Sequence, residues 1–193
     1  MKGNKNAVRL LYTTAVVIAF AVIFCAVFAP LLAPYDPSAV SPEEVLEHSS
    51  AAHWFGTDAL GRDILSRVIY GARSSVAFAF CSAFCTMVLG LSLGMVSGYF
   101  GGLADKSVQC LVALFQGLPG TSLMIAIAAI LPENDFRIII ALTLTSWTGF
   151  SRIVRNEVLR IKGETYMEGI RSIGAGHWYI LRLSLIHISE PTR

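Results

Sequence analysis

The chain has 193 residues, 54% of them hydrophobic and only 15% charged, with a formal net charge of +2. An average soluble domain carries about 25% charged residues, so an ordinary cytosolic domain is excluded, and no nucleic-acid partner is expected. The apolar residues gather into long uncharged runs, and runs beyond about 18 residues read as transmembrane helices rather than core helices.

Residues 1 to 9 carry Lys2, Lys5 and Arg9 ahead of the first run, residues 10 to 33 (LLYTTAVVIAFAVIFCAVFAPLLA). That run exceeds the apolar core of a signal peptide, and Ala-Pro-Tyr-Asp-Pro makes a poor cleavage site, so it reads as a retained anchor. The basic residues place the N-terminus in the cytoplasm by the positive-inside tendency. Alternation then puts residues 34 to 73 outside. Residues 74 to 104 hold no charge and can span. Glycines recur in this second run at Gly90, Gly94 and Gly98, lining one helical face where another backbone can approach closely.

Residues 105 and 106 fall inside, and residues 107 to 132 form a third uncharged run that Pro119 is expected to kink or break, because proline removes a helical hydrogen bond. A fourth run, 138 to 151, is short. It needs Phe136, or Ile153 and Val154, to span, with Arg137 and Arg152 snorkelling at its ends. From Arg152 onward the chain is expected back in the cytoplasm, where Arg152, Arg155, Arg160, Lys162, Arg171 and Arg182 agree with the positive-inside tendency.

Cys25, Cys81, Cys85 and Cys110 lie in or beside apolar runs and read as small buried hydrophobes. The four histidines, His48, His53, His177 and His187, lack metal-ligand spacing, and no catalytic or phosphate-binding motif occurs. Neither a catalytic nor a metal site is expected. The three long runs also lack the titratable residue that proton-driven carriers place within the bilayer. A solute carrier of this kind would draw its driving force from outside the membrane region.

Two stretches outside the runs are more specific. The first is residues 53 to 73, HWFGTDALGRDILSRVIYGAR. From Asp63 onward Ile64, Leu65, Val68 and Ile69 share one face, which predicts an amphipathic helix lying along the outer surface before the second span. Gly56, Thr57, Asp58, Gly61, Arg62, Asp63, Ser66, Arg67, Gly71 and Arg73 within this string, with Ala-Pro-Tyr-Asp-Pro at 33 to 37, resemble the DppC/OppC-type permeases of bacterial peptide and nickel ABC importers. The second stretch is 164 to 182, ETYMEGIRSIGAGHWYILR. It is similar to the cytoplasmic EAA loop of ABC import permeases, with Glu168 and Gly174 at the family spacing, while Gly169 and Ile170 replace the two alanines. Glycine costs about 1 kcal/mol against alanine within a helix.

The resemblance implies an all-α, polytopic transmembrane helix bundle of the MetI-like type, with about four of six spans present in residues 1 to 182. It implies a permease subunit for dipeptides or oligopeptides in the bacterial inner membrane, with Glu168, Gly169, Ile170 and Gly174 in a coupling helix that docks in a groove of an ATPase. The implied partners are a second permease subunit, two ATP-binding subunits, an extracytoplasmic substrate-binding protein and membrane lipid. ATP would be bound by the partners, with no cofactor on this chain. Nickel import is the alternative within the family. A multispan anchoring or assembly protein is the alternative outside it, ahead of a membrane enzyme.

Residues 183 to 193, LSLIHISEPTR, agree residue for residue with the translation of the transposase adapter used to prepare sequencing libraries. They fall where the family motif should continue into Ile-x-Leu-Pro. They are expected to be an adapter-derived tail with no part in the fold. Residues 74 to 182 are then a partial permease core, expected to be unstable and unable to transport in the absence of the helices it should pack against.

Overall fold

The computed structural model describes residues 3 to 164 and Gly176. Among them the secondary structure is helical: α1 (Gly3–Val27), α2 (Ala29–Leu32), α3 (Ile64–Phe100), α4 (Gly102–Gln116), α5 (Gly120–Ile130) and α6 (Phe136–Lys162), with a 3-10 turn at Pro42–Glu44. The one β feature described is an antiparallel bridge between Thr57 and Asp63. The chain divides into two compact units, Met1–Ala79 and Phe80–Arg193, and α3 runs unbroken from the first into the second.

In the first unit α1 is apolar on all sides from Leu10 onward, and its large side chains, Leu10, Leu11, Val17 and Phe20 among them, are exposed. An all-apolar helix without protein around it suits lipid rather than water. Its two hydroxyls agree with that. Thr13 and Thr14 donate to the carbonyls of Arg9 and Leu10, one turn back, at 2.8 and 2.9 Å. Pro30, at the second position of α2, cannot donate to a helical ladder, and the chain leaves the helix at Ala33 with extended backbone.

The predicted surface helix before the second span is corrected by α3. Residues 64 to 73 form the first turns of one 37-residue helix. The stretch contains no proline, and Gly71 alone, with open space beside it, lacks the strength to break the ladder. At 1.5 Å per residue α3 is about 55 Å long against a hydrocarbon core of about 30 Å, so one end or both must project beyond the apolar layer.

In the second unit the run containing Pro119 does more than kink. Here α4 and α5 meet at 92°, and neither helix, at 15 and 11 residues, is long enough to cross a bilayer by itself. Pro119 stands at the N-cap of α5, where its missing N–H costs nothing, and Leu118 before it is biased away from helical backbone. Two helices among the described residues are long and apolar enough to span, Ala7–Val27 and α3, with a third span if the bent pair counts as one. The fourth run extends further than predicted, α6 reaching Lys162. It is not among the helices that are apolar enough to span by composition, and Arg152 and Arg155 lie in its second half.

The core of this unit has two parts on α6. Val154, Val158 and Ile161 are buried with Tyr99, against Leu91, Met95 and Phe150. Trp147 is buried with Val108 and Val112 and meets the Phe115 ring edge-on at 5.8 Å.

Candidate functional site

Most of the signature residues in the loop between α2 and α3 build one lock at the start of α3. Asp63 is its centre. As the residue preceding the helix, it accepts the Ser66 amide on Oδ2 at 2.7 Å, the usual N-cap contact with the third helical residue. Its Oδ1 lies 3.0 Å from Nδ1 of His53, which is 5% exposed and also has Nε2 3.7 Å from Glu44. The Tyr35 ring stacks on His53 at 4.8 Å, its amide donates to Ser66 Oγ at 3.1 Å, and its hydroxyl donates to the Ala52 carbonyl. The two stretches around 33 to 37 and 53 to 73 that carry the family resemblance thus touch each other through Tyr35, His53 and Ser66.

The remaining signature residues shape the loop. Thr57 is buried, donates its hydroxyl to the Glu44 carbonyl and accepts the Glu47 amide. Asp58 caps its own turn by accepting the amides of Leu60 and Arg62, and binds the guanidinium groups of Arg62 and Arg67, so the loop is tied to the first turns of α3. Gly56 and Gly61 have φ of +73° and +72°, and a Cβ on either would overlap a backbone carbonyl, of Glu47 and Ser41 respectively. Gly71 and Arg73 lie at exposed positions of α3, outside the lock.

Charge is balanced inside this lock. The hydrogen bond from Asp63 raises the His53 pKa above its ordinary 6.5 despite burial, with Glu44 and Glu47 adding to the effect. Burial pushes the Asp63 carboxyl up, but the bonds from His53 and Ser66 together outweigh it and leave the pKa below 3.8. The Arg62 guanidinium holds Asp58 well below the usual carboxylate range.

A pH window follows. A raised histidine pKa stabilises the fold fully below pH 6.5, and that contribution is lost as pH rises through the folded value. A lowered aspartate pKa stabilises it above pH 3.8, and the contribution is lost as pH falls through the folded value. The lock should be tightest between these limits. Amide hydrogen exchange over residues 35 to 66, corrected for intrinsic rates, should show protection falling on the alkaline side in the natural protein and not in His53→Gln. Identical profiles for the two would show that His53 does not titrate with the lock.

The second cluster lies in the other unit, where α3, α4 and α6 meet. Gly90, Gly94 and Gly98 all face α6. A Cβ at Gly94 would sit 2.6 Å from the Ser151 carbonyl oxygen, at Gly98 2.9 Å from Val158 Cβ, and at Gly90 2.9 Å from the Phe150 ring. Below this face Arg155 of α6 makes a two-pronged ion pair with Asp105 of α4, both contacts at 2.6 Å. Ser97 of α3 donates to the same carboxylate at 2.5 Å. Sequence reasoning missed His53 as a buried partner and missed this junction, having placed Asp105 in a loop. An Asp at the start of a helical run was a usable signal for the helix start at Asp63, but no local pattern announces its contact with His53 or the Asp105–Arg155 junction. Glu168, Gly169, Ile170 and Gly174 lie outside the described residues.

Comparison with known proteins supplies the setting. The family model described as binding-protein-dependent transport system inner membrane component matches residues 90–189, just over half of the chain. The chain is 38% identical over 160 residues to a glutathione transport system permease protein of Pectobacterium atrosepticum, covering 82% of this chain and 53% of that protein. It is 34% identical over 174 residues to the oligopeptide transport system permease OppC of Bacillus subtilis, covering 90% and 55%. It is 36% identical over 186 residues to the dipeptide permease DppC of the same organism, covering 96% and 57%. The chain therefore spans little more than half the length of the curated relatives it matches. With its apolar helices it is a protein of the bacterial inner membrane, and it belongs to the family of binding-protein-dependent transport system inner membrane components.

Proposed function

We propose that this chain belongs to the permease subunit of an ATP-binding cassette importer and forms part of the path by which dipeptides or oligopeptides cross the inner membrane. The observation that carries the reading is similarity over nearly the whole chain to permease proteins named for oligopeptide and dipeptide transport. Those names favour peptides over nickel. The subunit performs no chemistry of its own. It works with a second permease subunit, two ATP-binding subunits that hydrolyse ATP, and an extracytoplasmic binding protein that delivers the solute.

The N-terminus is cytoplasmic in this reading, which puts the His53 and Asp63 lock outside and the Asp105 and Arg155 junction on the ATPase side. The segment after α6, with Glu168 and Gly174, then receives the ATPase, and Gly94 and its neighbours let α3 follow α6 closely. The test is uptake into vesicles that carry the transporter assembled around this subunit. Labelled dipeptide should accumulate only with ATP, the ATPases and the binding protein all present. ATP hydrolysis without accumulation of any peptide would refute the peptide reading, and accumulation without ATP would refute the transporter class.

A further inference from the structure

The Asp105 and Arg155 pair closes a junction that the family resemblance does not assign. The link from α3 to α4 is a tight turn through Gly101 and Gly102, whose φ values of +66° and +55° reverse the chain in two residues. Within it the Gly101 amide donates to the Ser97 carbonyl, the Asp105 amide donates to the Gly101 carbonyl, and Ser97 Oγ, wholly buried, donates to Asp105 Oδ1. The carboxylate of Asp105 therefore belongs to the turn as much as to α4. Arg155, 50 positions later in the chain, grips both of its oxygens.

Two further polar contacts run from the same stretch of α6. Lys162 Nζ donates to the Tyr99 carbonyl at 2.8 Å and lies 5.9 Å from the centre of its ring, and Arg152 donates to Gln116 Oε1 at 2.7 Å. All three contacts join α6 to α3 or α4 within the last eleven residues of α6. The Arg155 contact differs from the other two. It is a charge pair gripped at two points, so it resists rotation as well as separation.

We propose that Arg155 and Asp105 are positioning residues for energy coupling: the pair makes the α3–α4 turn follow α6, so that displacement of the segment after α6 reaches the spans. This rests on the transporter reading above. Removing the fork while keeping the helices packed should leave an assembly that hydrolyses ATP without moving solute efficiently. Gly94, Gly98, Val154 and Val158 hold α6 to α3 without this pair.

The experiment compares Asp105→Asn, Arg155→Lys and the exchanged pair Asp105→Arg with Arg155→Asp, each in the complete transporter in vesicles. Three quantities are read: co-purification of the subunits, ATP turnover, and solute moved per ATP hydrolysed. Arg155→Lys retains the charge and so the attraction, but loses the fork. The expected result is normal co-purification for both single variants, ATP turnover close to that of the natural complex, and a several-fold fall in solute moved per ATP. The exchanged pair should recover part of that fall.

An unchanged solute-to-ATP ratio in assembled Arg155→Lys and Asp105→Asn complexes would overturn the proposal. Failure of both single variants to co-purify would overturn it too, since the pair would then serve assembly. The natural complex separates the two readings. If it shows no ATP-dependent uptake the transporter reading fails first, and if it does while the variants match it only the coupling role fails.

Discussion

Gly94→Leu should separate α3 from α6 and cost the second unit about 3 kcal/mol or more, because overpacking a well-packed contact typically costs 1 to 3 kcal/mol and here backbone is part of the obstacle. A Cβ at Gly94 already meets the Ser151 carbonyl oxygen at 2.6 Å and Val154 Cβ at 2.8 Å. Neither can swing aside as a side-chain tip can. At Gly90 the nearest atom belongs to the Phe150 ring, which can turn, and the nearest backbone atom is the Trp147 carbonyl oxygen at 3.1 Å; at Gly98 the nearest are Val158 Cβ at 2.9 Å and the Arg155 carbonyl oxygen at 3.0 Å. Alanine substitutions should therefore rank with Gly94 worst and Gly90 mildest. Thermal unfolding of the detergent-solubilised subunit, followed by circular dichroism, reads the order. A Gly94→Ala protein that melts with the natural one would show that the two helices do not approach closely there.

Asp63→Ala should produce the largest loss in the loop unit. Removing an N-cap aspartate costs about 1 to 2 kcal/mol, and the buried His53 ring also loses its hydrogen-bond partner, which brings the total to about 3 kcal/mol. Asp63→Asn separates the two contributions. Asparagine caps a helix about as well as aspartate but carries no charge, so roughly half the loss should remain. Limited proteolysis between residues 38 and 60 is the measurement. Cleavage should be fast in Asp63→Ala, intermediate in Asp63→Asn and slow in the natural protein, whereas equal rates for all three would show that the loop does not depend on this carboxylate.

The helical architecture was legible because hydropathy accumulates along a run. Twenty apolar residues without a charge leave few alternatives to a membrane helix. The break at Pro119 was legible too, since a missing N–H is a property of one residue, but its 92° angle was not. That angle depends on what α4 and α5 pack against. The boundary drawn between residues 63 to 73 and the second span followed the change from mixed to purely apolar composition. The backbone has no reason to break where composition changes, and α3 continues across it.

The site residues divide along the same line. The four-residue spacing of Gly90, Gly94 and Gly98 marks a helical face by itself, but not which helix meets it. The roles of Gly56 and Gly61 depend on the carbonyls of Glu47 and Ser41, nine and twenty positions away, and appear only once the loop closes. The ion pair of Asp105 with Arg155 is the extreme case. Nothing local links an aspartate at the start of one helix to an arginine late in another, and only the packing of α4 and α6 brings them together.

The bend between α4 and α5 also fixes what may lie beside residues 117 to 120. The first turn of α5 begins at Gly120 with no side-chain cap on its amides, and the ladder of α4 ends with the Gly117 amide donating to the Ala113 carbonyl. Hydrocarbon offers neither donors nor acceptors, and each polar backbone group left bare in it costs several kcal/mol. Acyl chains are therefore poor neighbours for this point, although it sits in the middle of a run without a single charge. The stretch that composition marks as among the greasiest in the chain must be hydrated, or sheltered by protein, at its centre.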